Sequence, residues 1–575
     1  MDALGVSEIF MNSDSEDSDL DDSFSDFDDD LDLMTSDSET DSDDDDALQA
    51  ASPSLVSTSQ ATAAKQQYIW HPAGRQPPVT AFMGMQGPTS EVVVTDTESP
   101  LQYFQLIFGD VLMDLLVEET NRYATQYLAQ QNLKPSARAN AWKPTNTNEM
   151  KVFLGLVLLT GLIDKKGSLA SYWSTDELIA TPFFNKCMSR NRFQLLTTFL
   201  HFNDNDHIPA NCDDKLYKIR PVYSIMVSRW RELYFMGEHI SIDEGMLKWR
   251  GRLSFRVYMK IKPVKYGIKS YILADSKTHY CWNLDIFHRV KKTLKETVQG
   301  LLTEKWLHLW HSLYMDNFYN SVDLSLALLD QKVHTVGTLR KHRGEPSAIK
   351  NTQRIQLHEV RAMGNGKVMV VAWKDKRIVK AISTKHDGSV CSITRRKKGG
   401  HGAMEEISKP VSIVDYNQHM SGVDHMDQMI AYYPCTRKTL KWTKKVFYYL
   451  MEISVHNCYI LYKSKSSTGS KNYHQFCKDL VRQLCQQTQE EPLSDDDDEG
   501  PPRKAPKQNP PKRFRGRFKS HYMLTFPSTA NKKYPQRACR VCLMDKKRKD
   551  TRYFCKECGV PLCCVPCFGK YHSKN

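Results

Sequence analysis

Apolar residues recur at helical spacing from Pro100 to about Trp230, as in Phe104, Ile107 and Phe108 and then Val111, Leu112 and Leu115, which predicts a mostly helical segment. The pattern changes near Ile240. His239–Ile242, Phe255–Lys262 and Tyr266–Ala274 are short, rich in Ile, Val and Tyr and separated by turn formers, predicting three neighbouring strands. A further apolar stretch runs through Trp310–Met315. Between Val333 and Val414, β-like pieces such as Lys367–Trp373 and Ile378–Ser383 alternate with polar loops. Helical spacing returns at Val423–Ile430 and Val446–Tyr462, so the pattern predicts a mixed α/β chain. Residues 1 to about 95 show no sustained period and are expected to be disordered.

Charge sharpens this division. The 575 residues carry a formal net charge of +12, yet residues 1–50 hold 20 Asp and Glu and no Lys or Arg. The remaining chain sets 79 Lys and Arg against 47 Asp and Glu, a net of +32. A body so basic implies a polyanionic partner, with nucleic acid the foremost candidate, which the acidic head would shield or compete with. Ser13, Ser15, Ser18 and Ser36 each precede acids and suit an acid-directed kinase. A second acidic run, Asp495–Glu499, is followed by Pro501–Lys519 with eight Lys or Arg and no acid. Within it PKRFRGR, residues 511–517, reads either as a signal for nuclear import receptors or as a solvated tether.

No basic n-region followed by an apolar stretch opens the chain, and the longest apolar run, Val152–Ile163, is too short to span a bilayer; a soluble protein without a membrane partner is expected. Seven of the 15 cysteines fall within Cys539–Cys567, and that clustering suggests metal binding in a reducing compartment.

Three carboxylates stand out. Asp243 and Asp316 are expected at the ends of strand-like stretches, His-Ile-Ser-Ile-Asp and Ser-Leu-Tyr-Met-Asp-Asn, and Asp424 opens a helical segment in which Asp427 lies three residues on, near Asp424. Gathered carboxylates raise one another's pKa, and divalent cations relieve that conflict. Two such ions, ~3.5–4 Å apart, can activate an attacking oxygen and stabilise the leaving 3′ oxygen in a displacement at phosphorus. Helix caps and buried ion pairs are the structural alternative for the same residues.

Read in order, Ser241-Ile242-Asp243-Glu244-Gly245-Met246 with Lys248-Trp249-Arg250-Gly251-Arg252, Lys265-Tyr266-Gly267-Ile268-Lys269, Tyr314-Met315-Asp316-Asn317-Phe318-Tyr319-Asn320-Ser321 and Gly422-Val423-Asp424-His425-Met426-Asp427-Gln428 resemble the blocks of piggyBac-family transposases. The likeness spans roughly residues 97–575. It implies a ribonuclease-H-like core in which Asp243, Asp316 and Asp424 bind two Mg²⁺ ions, with Mn²⁺ a possible substitute, supported by Asp427. It further implies a helical dimerisation and DNA-binding domain in two parts, 97–238 and 434–490, around a core at 239–342 and 411–433. A β-rich insertion is expected at 343–410, a linker at 491–520 and a zinc-binding domain at 521–575, after the disordered 1–96. The implied chemistry is cut-and-paste transposition at TTAA by a nuclear homodimer acting on double-stranded DNA: strand nicking by water, hairpin formation and opening, and strand transfer. A host-adopted descendant that binds DNA without cutting it is the alternative.

Basic residues supply the candidate DNA contacts: Lys248, Arg250 and Arg252 just beyond Asp243, and Arg437, Lys438, Lys441 and Lys445 around Trp442, whose ring would pack on sugar or an unpaired base. In the tail, Cys539, Cys542, Cys555, Cys558, Cys563, Cys567 and His572 have zinc-ligand spacing. Two tetrahedral sites need an eighth ligand, and the resemblance points to His521; Cys564 remains an alternative to Cys563. The likeness also implies end-DNA recognition by this module, which Lys546, Lys547 and Arg548 suit.

Overall fold

Helices form where the apolar spacing predicts them: α1 (Pro100–Ile107), α2 (Asp110–Gln130), α3 (Thr147–Ile163), α4 (Arg190–Phe199) and α5 (Arg220–Leu233). The computed structural model describes residues 68–572 apart from 73–78, 131, 132, 134, 136, 211, 261, 263, 291, 304–307, 351–354, 397–403, 436–438, 467–470, 487–520 and 529–531. The acidic head with its candidate phosphorylation sites, the acidic and basic linker, and Arg437 and Lys438 lie outside the described residues. Two units divide the chain, Met1–Glu490 and Glu491–Asn575.

The apolar run Val152–Ile163 belongs to α3, capped by the Asn146 side chain accepting from the Glu149 amide and buried on most of its faces. It packs on α11 (Tyr473–Gln486), while α1 and α5 pack on α10 (Trp442–Lys465). A Cβ on Gly155 would stand 3.0 Å from both Cys485 Sγ and Leu484 Cβ, so the missing side chain lets α3 and α11 approach. Lys444 fastens α10 to α4. Its buried ammonium donates to the Thr197 and Thr198 carbonyls at 2.6 and 2.7 Å, in the last turn of α4 where carbonyls lack helical partners. The two helical stretches flanking the core in sequence therefore share one apolar core. Among the described residues no single helix is long and apolar enough to cross a membrane.

Five strands form the central sheet: β1 (His239–Lys248), β2 (Tyr266–Asp275), β3 (Cys281–Ile286), β4 (Ser312–Met315) and β5 (His334–Thr338). Their order is β3-β2-β1-β4-β5, with β1, β4 and β5 parallel and β2 antiparallel to its neighbours. This is the ribonuclease-H-like arrangement the resemblance implied. Helices α6 (Leu294–Leu302) and α7 (Val322–Asp330) make the connections around β4, with α6 on β2 and β3 and α7 against β5. The expected strand Phe255–Lys262 shortens to Val257–Tyr258 because Phe255 turns into the core. His239–Ile242 instead runs on to Lys248, so Asp243 stands inside a strand and not at its end.

The segment expected as a β-rich insertion holds β6 (Val360–Gly364), β7 (Met369–Lys374), β8 (Ile378–Ser383), β9 (Val390–Arg396) and β10 (Met404–Pro410). Strand β8 pairs with β5, so β8, β7 and β6 continue the central sheet, with His71–Pro72 beyond β6; β9 and β10 form a separate hairpin. On β7 the side chains alternate: Val370 and Ala372 enter one apolar cluster with Val322 and Ile349, while Met369, Val371 and Trp373 enter another with Ile407 and Ile413. Both faces are covered. Finally α8 (Val411–His419) lies over β5 and β8, and α9 (Gly422–Ala431) over β1 and β2.

Candidate active site and metal centres

Ile242 on β1 pairs with Met315 on β4, so Asp243 and Asp316 are the next residues along two adjacent parallel strands. Asp316 begins the turn after β4. Its carboxylate accepts from the Phe318 amide at 2.8 Å, and the Asn320 side chain donates to the carbonyls of Met315, Asp316 and Thr338, tying that turn to β5. Asp424 lies in the first turn of α9, where the helix N-terminus favours negative charge. The helix can come this close because Gly422 has no side chain: a Cβ there would stand 2.5 Å from Ser241 Oγ, two residues before Asp243.

Asp243, Asp316 and Asp427 resist ionisation. Burial pushes Asp243 up to about 7, against the Glu244 amide donating at 2.7 Å and the nearby Lys262 charge; Glu244 and Asp424 add repulsion. Burial likewise raises Asp316, with Glu244 adding to the shift and Arg340 opposing it. Asp427, one turn after Asp424, is pushed up to about 7 by burial and then by Asp424, with Lys262 opposing. Burial also raises the Tyr416 phenol to about 12, and Asp316, Asp243 and Asp424 all contribute, so α8 closes the same pocket of charge. Burial, and for Asp243 and Asp427 the neighbouring Asp424 charge, disfavours the ionised carboxylates, a cost that a divalent cation would relieve.

Two supports were not singled out from sequence. Glu244 and Lys269 form a buried ion pair at 3.2 Å beneath the site, and the Lys269 ammonium lies 4.7 Å from the Tyr271 ring centre and 4.6 Å from that of Phe318. Asn320 and Gly422 sit inside recognised motifs without having been assigned a role. A strand followed by Asp-Asn-x-x-Asn, and a glycine two residues before a helix carboxylate, were the available signals.

The basic candidates separate by placement. Lys248, the last residue of β1, and Arg250 and Arg252 beyond it are exposed, as is Lys441 just before α10. Trp442 and Lys445 are half-buried; the Trp442 ring makes a T-shaped contact with Phe255, centroids 5.3 Å apart, and so has a packing role of its own. Of the basic candidates around Trp442, Lys445 lies within α10, which begins at Trp442, and Lys441 precedes it.

In the tail unit, the described residues form two groups whose ligand atoms all lie within 4.8 Å of one another: Cys539, Cys542, Cys563 and Cys567, and His521, Cys555, Cys558 and His572. The sulfurs of Cys542 and Cys567 are 3.5 Å apart and those of Cys542 and Cys563 4.0 Å, bracketing the ~3.8 Å edge of a tetrahedron with zinc–sulfur bonds of ~2.3 Å. His521 Nδ1 lies 3.4 Å from Cys555 Sγ and 3.3 Å from Cys558 Sγ, and His572 Nε2 lies 3.4 Å from Cys558 Sγ. His572 Nδ1 donates to the Phe568 carbonyl at 2.9 Å, leaving Nε2 to ligate. The ligand pairs alternate along the chain, which is a cross-brace. Cys564 is exposed and belongs to neither group. Both clusters suit zinc. Lys546, Lys547 and Arg548 are exposed on the loop after Cys542. The three core carboxylates are not drawn together as tightly as either tail cluster.

Known proteins share this architecture. A family model described as Transposase IS4 matches residues 99–459, and one described as a DDE_Tnp_1-like zinc finger matches 526–573. PiggyBac transposable element-derived protein 2 of Homo sapiens is 24% identical over 420 residues, covering 70% of this chain and 68% of the relative. PiggyBac transposable element-derived protein 3 of Homo sapiens is 24% identical over 497 residues, covering 84% and 77%. A chain from the cryo-EM structure of the piggyBac transposase synaptic complex with hairpin DNA superposes with a TM-score of 0.61 at 27% identity, covering 72% of this chain and 86% of that one. The fold, the sequence likeness and the paired Cys/His clusters agree: the chain belongs to the piggyBac family of transposases.

Proposed function

We propose that this chain cuts and rejoins double-stranded DNA at the Asp243, Asp316 and Asp424 site, with Asp427 supporting it, as a Mg²⁺-dependent cut-and-paste transposase. The observation that carries the reading is the placing of Asp243 on β1 beside Asp316, the residue that follows the adjacent parallel strand β4, with Asp424 on the helix packed over β1. The donor set fits: oxygen-only ligands are those Mg²⁺ or Mn²⁺ prefers, and the burial that raises Asp243 and Asp316 is a cost to their ionised forms that a bound cation would offset. Bound divalent ions would supply activation of the attacking oxygen and stabilisation of the leaving oxygen. The chain's own contribution is rigidity. Asn320 fixes the Asp316 turn, Gly422 seats Asp424, and Lys248, Arg250 and Arg252 offer exposed cations for a phosphate backbone. The family likeness supports the finer steps: nicking by water, hairpin formation and opening, and strand transfer into TTAA, by a homodimer in the nucleus.

A second reading is a DNA-binding protein derived from such an element, and the names of the human relatives favour it. One experiment separates the two. Full-length wild-type and Asp316→Ala proteins are incubated with Mg²⁺ and DNA from the ends of the element carrying this gene. Nicking by wild type alone, with binding by both, supports the transposase. Binding without nicking by wild type selects the second reading.

A further inference from the structure

Between Lys248 and Lys265 the chain carries seven Lys and Arg and no acid. Two aromatic rings at the outer end of β2 are exposed among them. Tyr258 and Tyr266 face one another across an antiparallel pair, centroids 4.7 Å apart, and are 53% and 45% exposed. Arg256 stacks its guanidinium 5.4 Å from the centre of the Tyr266 ring, and its Nη1 donates to the carbonyls of Arg250 and Gly251 at 2.9 and 3.2 Å, which locks the plane in place. The loop behind is anchored by Trp249 and Phe255, both buried, with Phe255 against Trp442. A cross-strand pair stabilising a hairpin explains two tyrosines. It does not explain why large aromatic faces stay open to solvent inside a purely basic segment.

We infer that Tyr258 and Tyr266 form a stacking platform for an unpaired DNA base, with the exposed Lys260 and Lys265 holding the flanking phosphates. Aromatic faces interleaved with cations are the chemistry by which single-stranded nucleic acid is held without reading its sequence, whereas paired bases in a duplex keep their faces hidden. The platform deepens the proposed function and rests on it. Lys248 lies five residues beyond Asp243 on the same strand, which at ~3.4 Å per residue places the platform about 17 Å away. A DNA strand covers that span in about five nucleotides, so the platform would take a base a few positions from the cut and not the reacting nucleotide itself.

The test measures binding of the full chain, by fluorescence anisotropy at fixed salt, to a blunt duplex and to the same duplex extended by a short unpaired run. A 2-aminopurine in that run reports stacking. Wild type is expected to prefer the extended DNA and quench the probe. Y258A/Y266A should lose about tenfold in affinity for the extended DNA, together with the quench, while duplex binding is unchanged; Y258F/Y266F should keep both. Duplex binding by wild type without any preference for unpaired bases, or equal weakening on both substrates in the alanine variant, would overturn the platform alone. Binding to neither DNA by wild type would overturn the DNA-acting reading with it.

Discussion

Asp427 shows what a site of gathered carboxylates costs the fold. Burial and the neighbouring Asp424 hold its pKa at about 7, whereas the unfolded chain titrates it near ~3.9. Between those values the folded protein keeps a proton that the unfolded chain has lost. The stabilisation is complete below ~3.9 and is lost as pH rises through about 7. An amide in its place is neutral at every pH. Asp427→Asn is therefore expected to raise Tm by a few degrees at pH ~8 and to leave it unchanged at pH ~4. Equal shifts at both values, read by calorimetry, would mean that the gain comes from packing. Burial raises Asp316 as well, but there a backbone donor opposes the shift and Asn320 braces the turn. Asn320→Ala removes three donated bonds and should destabilise the protein by ~2–3 kcal/mol in a denaturant titration.

At the level of elements, the placing of α9 depends on an absent side chain. A Cβ at Gly422 cannot occupy a point 2.5 Å from Ser241 Oγ, so Gly422→Ala must lift the helix or turn Ser241 aside. Nicking should fall about tenfold or more while DNA binding persists, because a displacement of ~1 Å is enough to spoil reacting geometry. Unaltered nicking would show that Ser241 yields freely. Lys444 is the corresponding device between α10 and α4. Lys444→Met leaves the Thr197 and Thr198 carbonyls buried without their donor, an expected loss of ~2–4 kcal/mol in denaturant stability with little effect on metal content. These contacts explain what the sequence could and could not disclose. The strands bearing Asp243 and Asp316 and the helix bearing Asp424 were legible from apolar runs ending in turn formers. The lysine at 444 was not, since nothing in a run of Trp-Thr-Lys-Lys marks which ammonium will be swallowed by a partner helix some 250 residues away. Val257–Tyr258 was overextended for a similar reason: an apolar Phe255 looks like strand until its tertiary partner Trp442 is known.

Across the whole molecule, pairings between distant segments were the least legible feature. Strands β6 to β8 carry alternating apolar residues that fit a separate β-domain as well as an extension of the central sheet, and the pairing of Ala381, Ile382 and Ser383 with Thr338, Gly337 and Val336 decides between them. In the tail, spacing alone identified seven ligands but could not say how they divide. The structure divides them by alternation, so each group joins residues from well-separated turns of the chain. That arrangement has a thermodynamic consequence. A short segment with a small apolar core depends on bound metal for its folding energy, and each ion in a cross-brace closes loops that the other ion also spans. Removing one ligand should therefore disturb both centres. Cys555→Ser, which touches only the group with His521, is expected to release its own zinc and to loosen the all-cysteine group enough for a chelator to strip it faster than in wild type. Cys564→Ser, exposed and outside both groups, should retain both ions and resist the chelator as wild type does. Native mass spectrometry of the full chain before and during chelation reads both quantities. Loss of one ion from Cys555→Ser with no change in the lability of the other would mean two independent centres, and zinc loss from Cys564→Ser would exchange its role with that of Cys563.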